Sequence, residues 1–194
     1  MKKTILLMIV LLVFLSCSTS DEPNGLNLPT ILNFSASATE ILKGEEVVLS
    51  WSVTNANSVQ IDNGIGSVTS SGTYNISPAS TTKYTLTAIN NDGTSLMEVT
   101  ITVYPSVIGK WHIEYQYNNI NYIGLFHITF YSDKHFYSTG DAGNWQGPWS
   151  QTQNKITWTY PVNNCIYTGT VSDLSMEGTM VLSGSTGVWW GTKE

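Results

Sequence analysis

The sequence is short of charge, of basic clusters and of helical periodicity, and each shortage excludes something. Charged residues make up 11% of the 194, against about 25% in an ordinary soluble domain. Eight Lys and Arg face 14 Asp and Glu, for a net charge of −6, and no basic cluster survives beyond Lys2 and Lys3. Nucleic-acid binding needs a basic footprint to displace counterions from phosphates, so that class is excluded. Between residues 29 and 104 no stretch repeats apolar residues at helical spacing over two turns. What fills the chain instead is Ser, Thr, Asn and Gly, the residues of strands and their turns. With 7 Trp and 10 Tyr it has ample apolar surface to fold, despite its low charge.

The N-terminus carries an address. Lys2 and Lys3 precede an unbroken apolar run from Ile5 to Leu15, then Ser16-Cys17. As a helix that run would span roughly 17 Å, well short of the ~30 Å hydrocarbon core, so it reads as a signal-peptide core and not as a membrane span. A small residue before a cysteine resembles the lipobox of bacterial lipoproteins, with Phe14 where the pattern prefers Leu. The resemblance implies that residues 1–16 are removed and that Cys17 is acylated. Residues 17–28 contain Pro23 and Gly25 and no apolar period, as a flexible tether would. Asp21-Glu22 resembles the acidic surface-export signal of Bacteroidetes lipoproteins. The expected location is therefore the outer membrane, lipid-anchored and displayed at the cell surface. With Cys17 given to lipid, Cys165 stands alone and no disulfide framework exists. No cation near it would favour a thiolate, so Cys165 is expected to be a small buried hydrophobe.

Residues 29–104 read as the first domain. Val47, Leu49, Trp51 and Val53 alternate with polar residues, Tyr84, Leu86 and Ala88 share a face, and Met97, Val99, Ile101 and Val103 share another. Asp62-Asn63-Gly64, Ser71-Gly72 and Asn90-Asn91-Asp92-Gly93 are turn signals. Short strands at this spacing argue for a β-sandwich. The pattern Gly44-Glu45-Glu46-Val47, Leu49-Ser50-Trp51 and Thr81 to Ala88 resembles Ig-like modules of bacterial surface proteins. Tyr84-x-Leu86-x-Ala88-x-Asn90 also resembles the fibronectin type III strand with its tyrosine corner. Neither resemblance implies chemistry. Trp51, in phase with Val47, Leu49 and Val53, is expected in the core, and the domain is expected to be a spacer.

Residues 107–194 follow Pro105 and divide into eight strand-like runs, the first from Val107 and the last ending at Lys193, joined by short links. Such links make successive strands antiparallel neighbours, and an eight-strand meander can close and remove its edges. Inward phases are Trp111, Ile113, Tyr115; Phe126, Ile128, Phe130; Ile156, Trp158, Tyr160; and Met176, Gly178, Met180, Leu182. The motifs Gly109-Lys110-Trp111, Phe130-x-x-Asp133-x-x-Phe136, Gly147-Pro148-Trp149, Tyr167-Thr168-Gly169-Thr170, Met176-Glu177-Gly178-Thr179-Met180 and Gly187-Val188-Trp189 resemble those of bacterial lipocalin-like domains. The expected fold is all-β: an Ig-like sandwich followed by a small eight-stranded antiparallel lipocalin-like barrel.

Candidate chemistry is sparse. His112, His127 and His135 fall on outward phases; the first two could share one outer surface, but no His-x-His or Cys-x-x-Cys spacing completes a metal shell, and no metal site is expected. Asp133 and Asp141 suit turns, Glu114 and Glu177 point outward, and no Gly-x-Ser-x-Gly elbow exists, so neither enzyme activity nor a cofactor is expected. The aromatics are sharper. Trp145 is expected in a loop between Gly140 and Gly147, and Trp190 outward beside inward Trp189; exposed indoles are platforms for sugar rings or apolar partners. The expected function is non-catalytic, with the barrel binding a small ligand or a glycan or protein partner. The competing reading is an accessory subunit acting only through protein contacts, its barrel packed solid by Trp111, Trp149, Trp158 and Trp189. An open interior would favour the first reading, and a filled one the second.

Overall fold

The computed structural model describes residues 25–118, 120–121, 123–140 and 143–194. The expected export signal, Cys17, most of the tether and Asp141 lie outside the described residues. No helix among those described is long and apolar enough to cross a membrane.

The first half is a β-sandwich. Its strands are β1 (Thr30–Ala36), β2 (Glu40–Leu42), β3 (Val47–Thr54), β4 (Ser58–Ile61), β5 (Gly66–Val68), β6 (Ser71–Ile76), β7 (Thr82–Asn90) and β8 (Gly93–Tyr104). One sheet has the order β1-β3-β6, the other β2-β8-β7-β4-β5. The period-two pattern of β3 buries Val47, Leu49, Trp51 and Val53 on one face, and Tyr84, Leu86 and Ala88 meet them from β7. Trp51 is a core residue, as its phase implied; its indole N–H donates to the Thr69 carbonyl at 2.8 Å. The β8 stripe is graded: Ile101 is fully buried, Val99 and Val103 pack at the core's margin, and Met97 is exposed. Tyr84 is buried, but its hydroxyl makes no tyrosine-corner bond to backbone among the described residues. The chain is already held at Asn27 and Leu28, whose carbonyls accept from the amides of Asn55 and Asn90.

The second half is a closed barrel of β9 (Gly109–Tyr117), β10 (Ile123–Phe130), β11 (His135–Gly140), β12 (Trp145–Thr152), β13 (Lys155–Tyr160), β14 (Cys165–Val171), β15 (Ser175–Leu182) and β16 (Ser185–Lys193). Each strand pairs antiparallel with the next, and β16 returns to β9, so no edge is left to aggregate. The expected all-β chain, sandwich then eight-stranded antiparallel barrel, is the observed one. Hairpin turns sit where the sequence has turn residues. Ser183 (φ 44°) and Gly184 (φ 89°) both take positive φ, the two-residue geometry that matches strand twist.

The end of the barrel nearest the sandwich is stoppered by the connecting segment. Val107 is wholly buried in the barrel core. Its N–H donates to Gln151 Oε1 at 3.0 Å and its carbonyl accepts from the Trp111 indole at 2.7 Å. The Gln151 amide also donates to the Pro105 carbonyl at 2.6 Å. A buried peptide with both groups bonded is stable as a plug. Across this junction Lys43 pairs with Asp173 at 3.1 Å, an exposed pair of small energetic weight.

Candidate functional site

The barrel interior is the first place to look for a ligand, and it is largely filled. Trp111, Trp149, Trp158 and Trp189, with Phe130, Phe136, Ile113, Ile128, Ile156 and Met180, are all buried in one cluster. Trp158 stacks on Tyr167 with centroids 4.7 Å apart and meets Trp189 edge-on at 4.8 Å. Packing reaches the backbone. A Cβ at Gly178 would lie 1.9 Å from the Thr168 carbonyl oxygen and 2.7 Å from the Trp189 ring, and one at Gly169 would lie 2.4 Å from that ring. Three of the four indole N–H groups are bonded to backbone carbonyls. Trp158 Nε1 makes no hydrogen bond of normal geometry, although the Tyr160 phenol oxygen is beside it.

What remains open is a cavity of about 110 Å³ at the end away from the sandwich, lined chiefly by Tyr115, Tyr117, Trp145, Tyr160, Cys165 and Tyr167. Small-molecule sites usually occupy about 300–1,000 Å³, so this mouth admits a few waters or a very small solute, not a lipophile. Its groups are kept neutral. Burial pushes the Tyr117 phenol up to about 12 and drives those of Tyr160 and Tyr167 higher still. Burial also raises the Cys165 thiol, partly offset by hydrogen bonds with Tyr167 and Tyr117. Cys165 is thus the inert buried residue that its surroundings implied.

Trp145 corrects the sequence reading. It does not lie in a loop but opens β12, in phase with Gly147 and Trp149, and packs half-buried against the barrel core at the mouth. The loop assignment failed because Gly140, Gly143 and Gly147 surround it, and only Gly140 and Gly143 take positive φ.

Trp190 stands on the outer wall, as its phase implied, and is half-buried. It forms a ridge between two open depressions. The larger, about 870 Å³, is lined by Trp190 with Lys155, Thr157, Thr168, Thr179 and Val188 among others. The smaller, about 490 Å³, runs past Glu177, Ser175 and Thr192. Register explains the floor of the larger one. Thr157 pairs with Thr168, and Thr168 with Thr179, so three hydroxyls form a row across β13, β14 and β15, with the last two oxygens 3.4 Å apart. Beneath them Gly169 faces Gly178, and the absent side chains let the sheet draw in over Trp189 and indent its outer surface.

A third group lies on the same outward face, where His112 is the register partner of Thr192. His112 and His127 are direct cross-strand partners of β9 and β10, with ring centroids 5.2 Å apart. Glu194, which the sequence reading did not consider, joins them: its Oε1 is 2.5 Å from His127 Nδ1, and its Oε2 is 2.5 Å from Lys110 Nζ. The Lys110 hydrogen bond, foremost, holds the Glu194 carboxyl below its usual range. His135 is apart, 3.7 Å from Asp133 in an exposed turn. Glu114 and Glu177 face outward on either side of Trp190 in the β-register.

No family model matches this chain, and no curated protein matches its sequence.

Proposed function

We propose that the protein is a non-catalytic, lipid-anchored binding protein of a bacterial outer surface, whose barrel works from its outer wall. In this reading Cys17 carries the acyl anchor, the Ig-like sandwich is a spacer, and the lipocalin-like barrel engages a glycan in the groove beside Trp190. The observation that carries the reading is the contrast in space. The interior is closed by Val107 at one end and filled by four tryptophans, leaving about 110 Å³, whereas the outer wall beside Trp190 carries a broad, open depression floored by threonines.

The groove's chemistry suits a sugar chain. An indole face stacks on the C–H face of a pyranose, the Thr157–Thr168–Thr179 row offers hydroxyls that both donate and accept, and Lys155 and Glu177 supply one charge of each sign. An apolar protein partner would prefer a patch with fewer hydroxyls and more aromatic surface. The filled interior speaks against a ligand inside the barrel and for contacts on its outer surface, and the hydroxyl row beside Trp190 favours a glycan there over the purely protein-binding accessory role that solid packing alone would suggest.

The test is affinity electrophoresis of the protein through gels containing a panel of bacterial and host polysaccharides. Retardation by at least one polysaccharide, abolished in Trp190→Ala and weakened in Thr168→Val, is the expected result. Uniform mobility in every gel, together with co-purification of a stoichiometric protein partner, would favour the accessory-subunit reading.

A further inference from the structure

The outer wall holds a second assembly of side chains that the proposed glycan groove does not use. We propose that His112, His127 and Glu194 form a binding site for a borderline divalent transition ion, zinc(II) in particular, that clips the seam where the barrel closes.

The site is built from three separated places in the chain brought together by strand register. β9 lies between β10 and β16 in the closed wall, and His112 pairs with His127 on one side and with Thr192 on the other. The two histidine backbones are therefore fixed in paired, closed-barrel strands, and their rings meet nearly perpendicular, at 76°. Glu194 is positioned by its own backbone N–H, which donates to the Lys110 carbonyl at 2.9 Å. One nitrogen from each histidine and one carboxylate oxygen all lie within 4.8 Å of one another.

Tetrahedral zinc with bonds of about 2.0–2.1 Å wants its ligand atoms about 3.4 Å apart, so the widest separation has to close by about 1.4 Å. All three side chains are partly exposed, 34%, 42% and 31% for His112, His127 and Glu194, which leaves room for their χ angles to turn by that amount once Glu194 exchanges its contact with Lys110 or His127 for the ion. Two imidazoles and one carboxylate, with water in the fourth position, are a ligand set suited to zinc, whereas calcium and magnesium want more oxygens. Glu114 Oε1 lies 3.7 Å from His112 Nε2, adding negative charge beside the pair. Lys110 is the opposing group: its ammonium holds Glu194 Oε2 and repels a cation. Its removal therefore separates a metal site from a plain ion-pair network, because only a metal site gains from the loss.

The experiment is a titration of the untagged full chain with zinc chloride, read by calorimetry and by the ring proton–nitrogen spectra of the histidines. One zinc is expected to bind per chain, moving the resonances of His112 and His127 while His135 stays as an internal control. Affinity should fall at least about tenfold in His112→Asn and in His127→Asn and rise in Lys110→Met. Because the ion bridges β9, β10 and the segment after β16, zinc should raise the melting temperature of the wild type but not of His127→Asn. Absence of saturable binding, wild-type affinity retained in either histidine variant, or shifts confined to His135 would each overturn the proposal.

Discussion

Replacing each of three barrel tryptophans by phenylalanine tests how the interior is satisfied as well as how it is filled. Trp111, Trp158 and Trp189 are all at most 1% exposed, and the substitution removes the same atoms at each, so the transfer term is the same at each and only the collapse of each site and its ring contacts vary. They differ in the fate of the indole N–H. Trp111 donates to the Val107 carbonyl at 2.7 Å and Trp189 to the Thr179 carbonyl at 2.9 Å; phenylalanine would leave those acceptors short of a partner. Trp158 Nε1 has no bond of normal geometry to lose, and its removal relieves a buried donor. An orphaned buried polar group costs about 1–3 kcal/mol, so Trp158→Phe should be less destabilising than either other change by at least about 1 kcal/mol, or about 4–8 °C in a domain of this size. Cys165 supplies a barrel-specific reporter, because it is 2% exposed and, in a Cys17→Ser background, the sole thiol of the chain. Thiol labelling across a urea series then reads barrel opening without interference from the sandwich. A Trp158→Phe variant that opens as readily as Trp111→Phe would refute this account of the interior.

Other perturbations follow from the same geometry. Gly178→Ala places a Cβ against the Thr168 carbonyl and the Trp189 ring, contacts that only backbone movement relieves; a loss of about 3 kcal/mol or outright insolubility is expected, while Gly184→Ala, strained only by its φ of 89° in open space, should cost about 1–2 kcal/mol. The tyrosines at the mouth make the barrel alkali-sensitive: the unfolded chain releases their protons near pH ~10, but the folded barrel holds them more tightly. Stability is therefore full below about pH 10 and falls as the pH rises through about 12, and circular dichroism should show the transition move upward in Tyr167→Phe. Cys17→Ser should leave both domains folded yet release the protein from the membrane fraction; a variant that still pellets with membranes contradicts the anchor.

Much of the barrel was legible because its strands obey a strict period of two and its links are short. Ile156, Trp158 and Tyr160 could be placed inward from that alternation, and the same alternation put Trp190 outside. Trp145 carried the same signal, four residues before Trp149 in phase, but the neighbouring glycines made the segment look like a loop. Val107 has the sequence context of a strand start, and nothing local shows that a linker residue turns in and plugs an opening. The groove depends on the register of neighbouring hairpin strands, and the histidine site on the long-range closure of β16 onto β9. Gly169 faces Gly178 and Lys193 faces Trp111 only after β14–β15 and β16–β9 have paired, and those pairings bring together residues that look ordinary in the sequence. Glu194 shows this most clearly, lying 67 residues from the histidine it touches.

Native mass spectrometry of the protein extracted gently from its own membranes tests most directly whether the barrel works from its outer wall. The filled interior predicts that, once the covalent lipid is accounted for, the chain carries no stoichiometric apolar ligand. A retained lipophile larger than the cavity of about 110 Å³ can hold, lost in Tyr167→Trp but not in Trp190→Ala, would contradict it and return the barrel to an interior carrier.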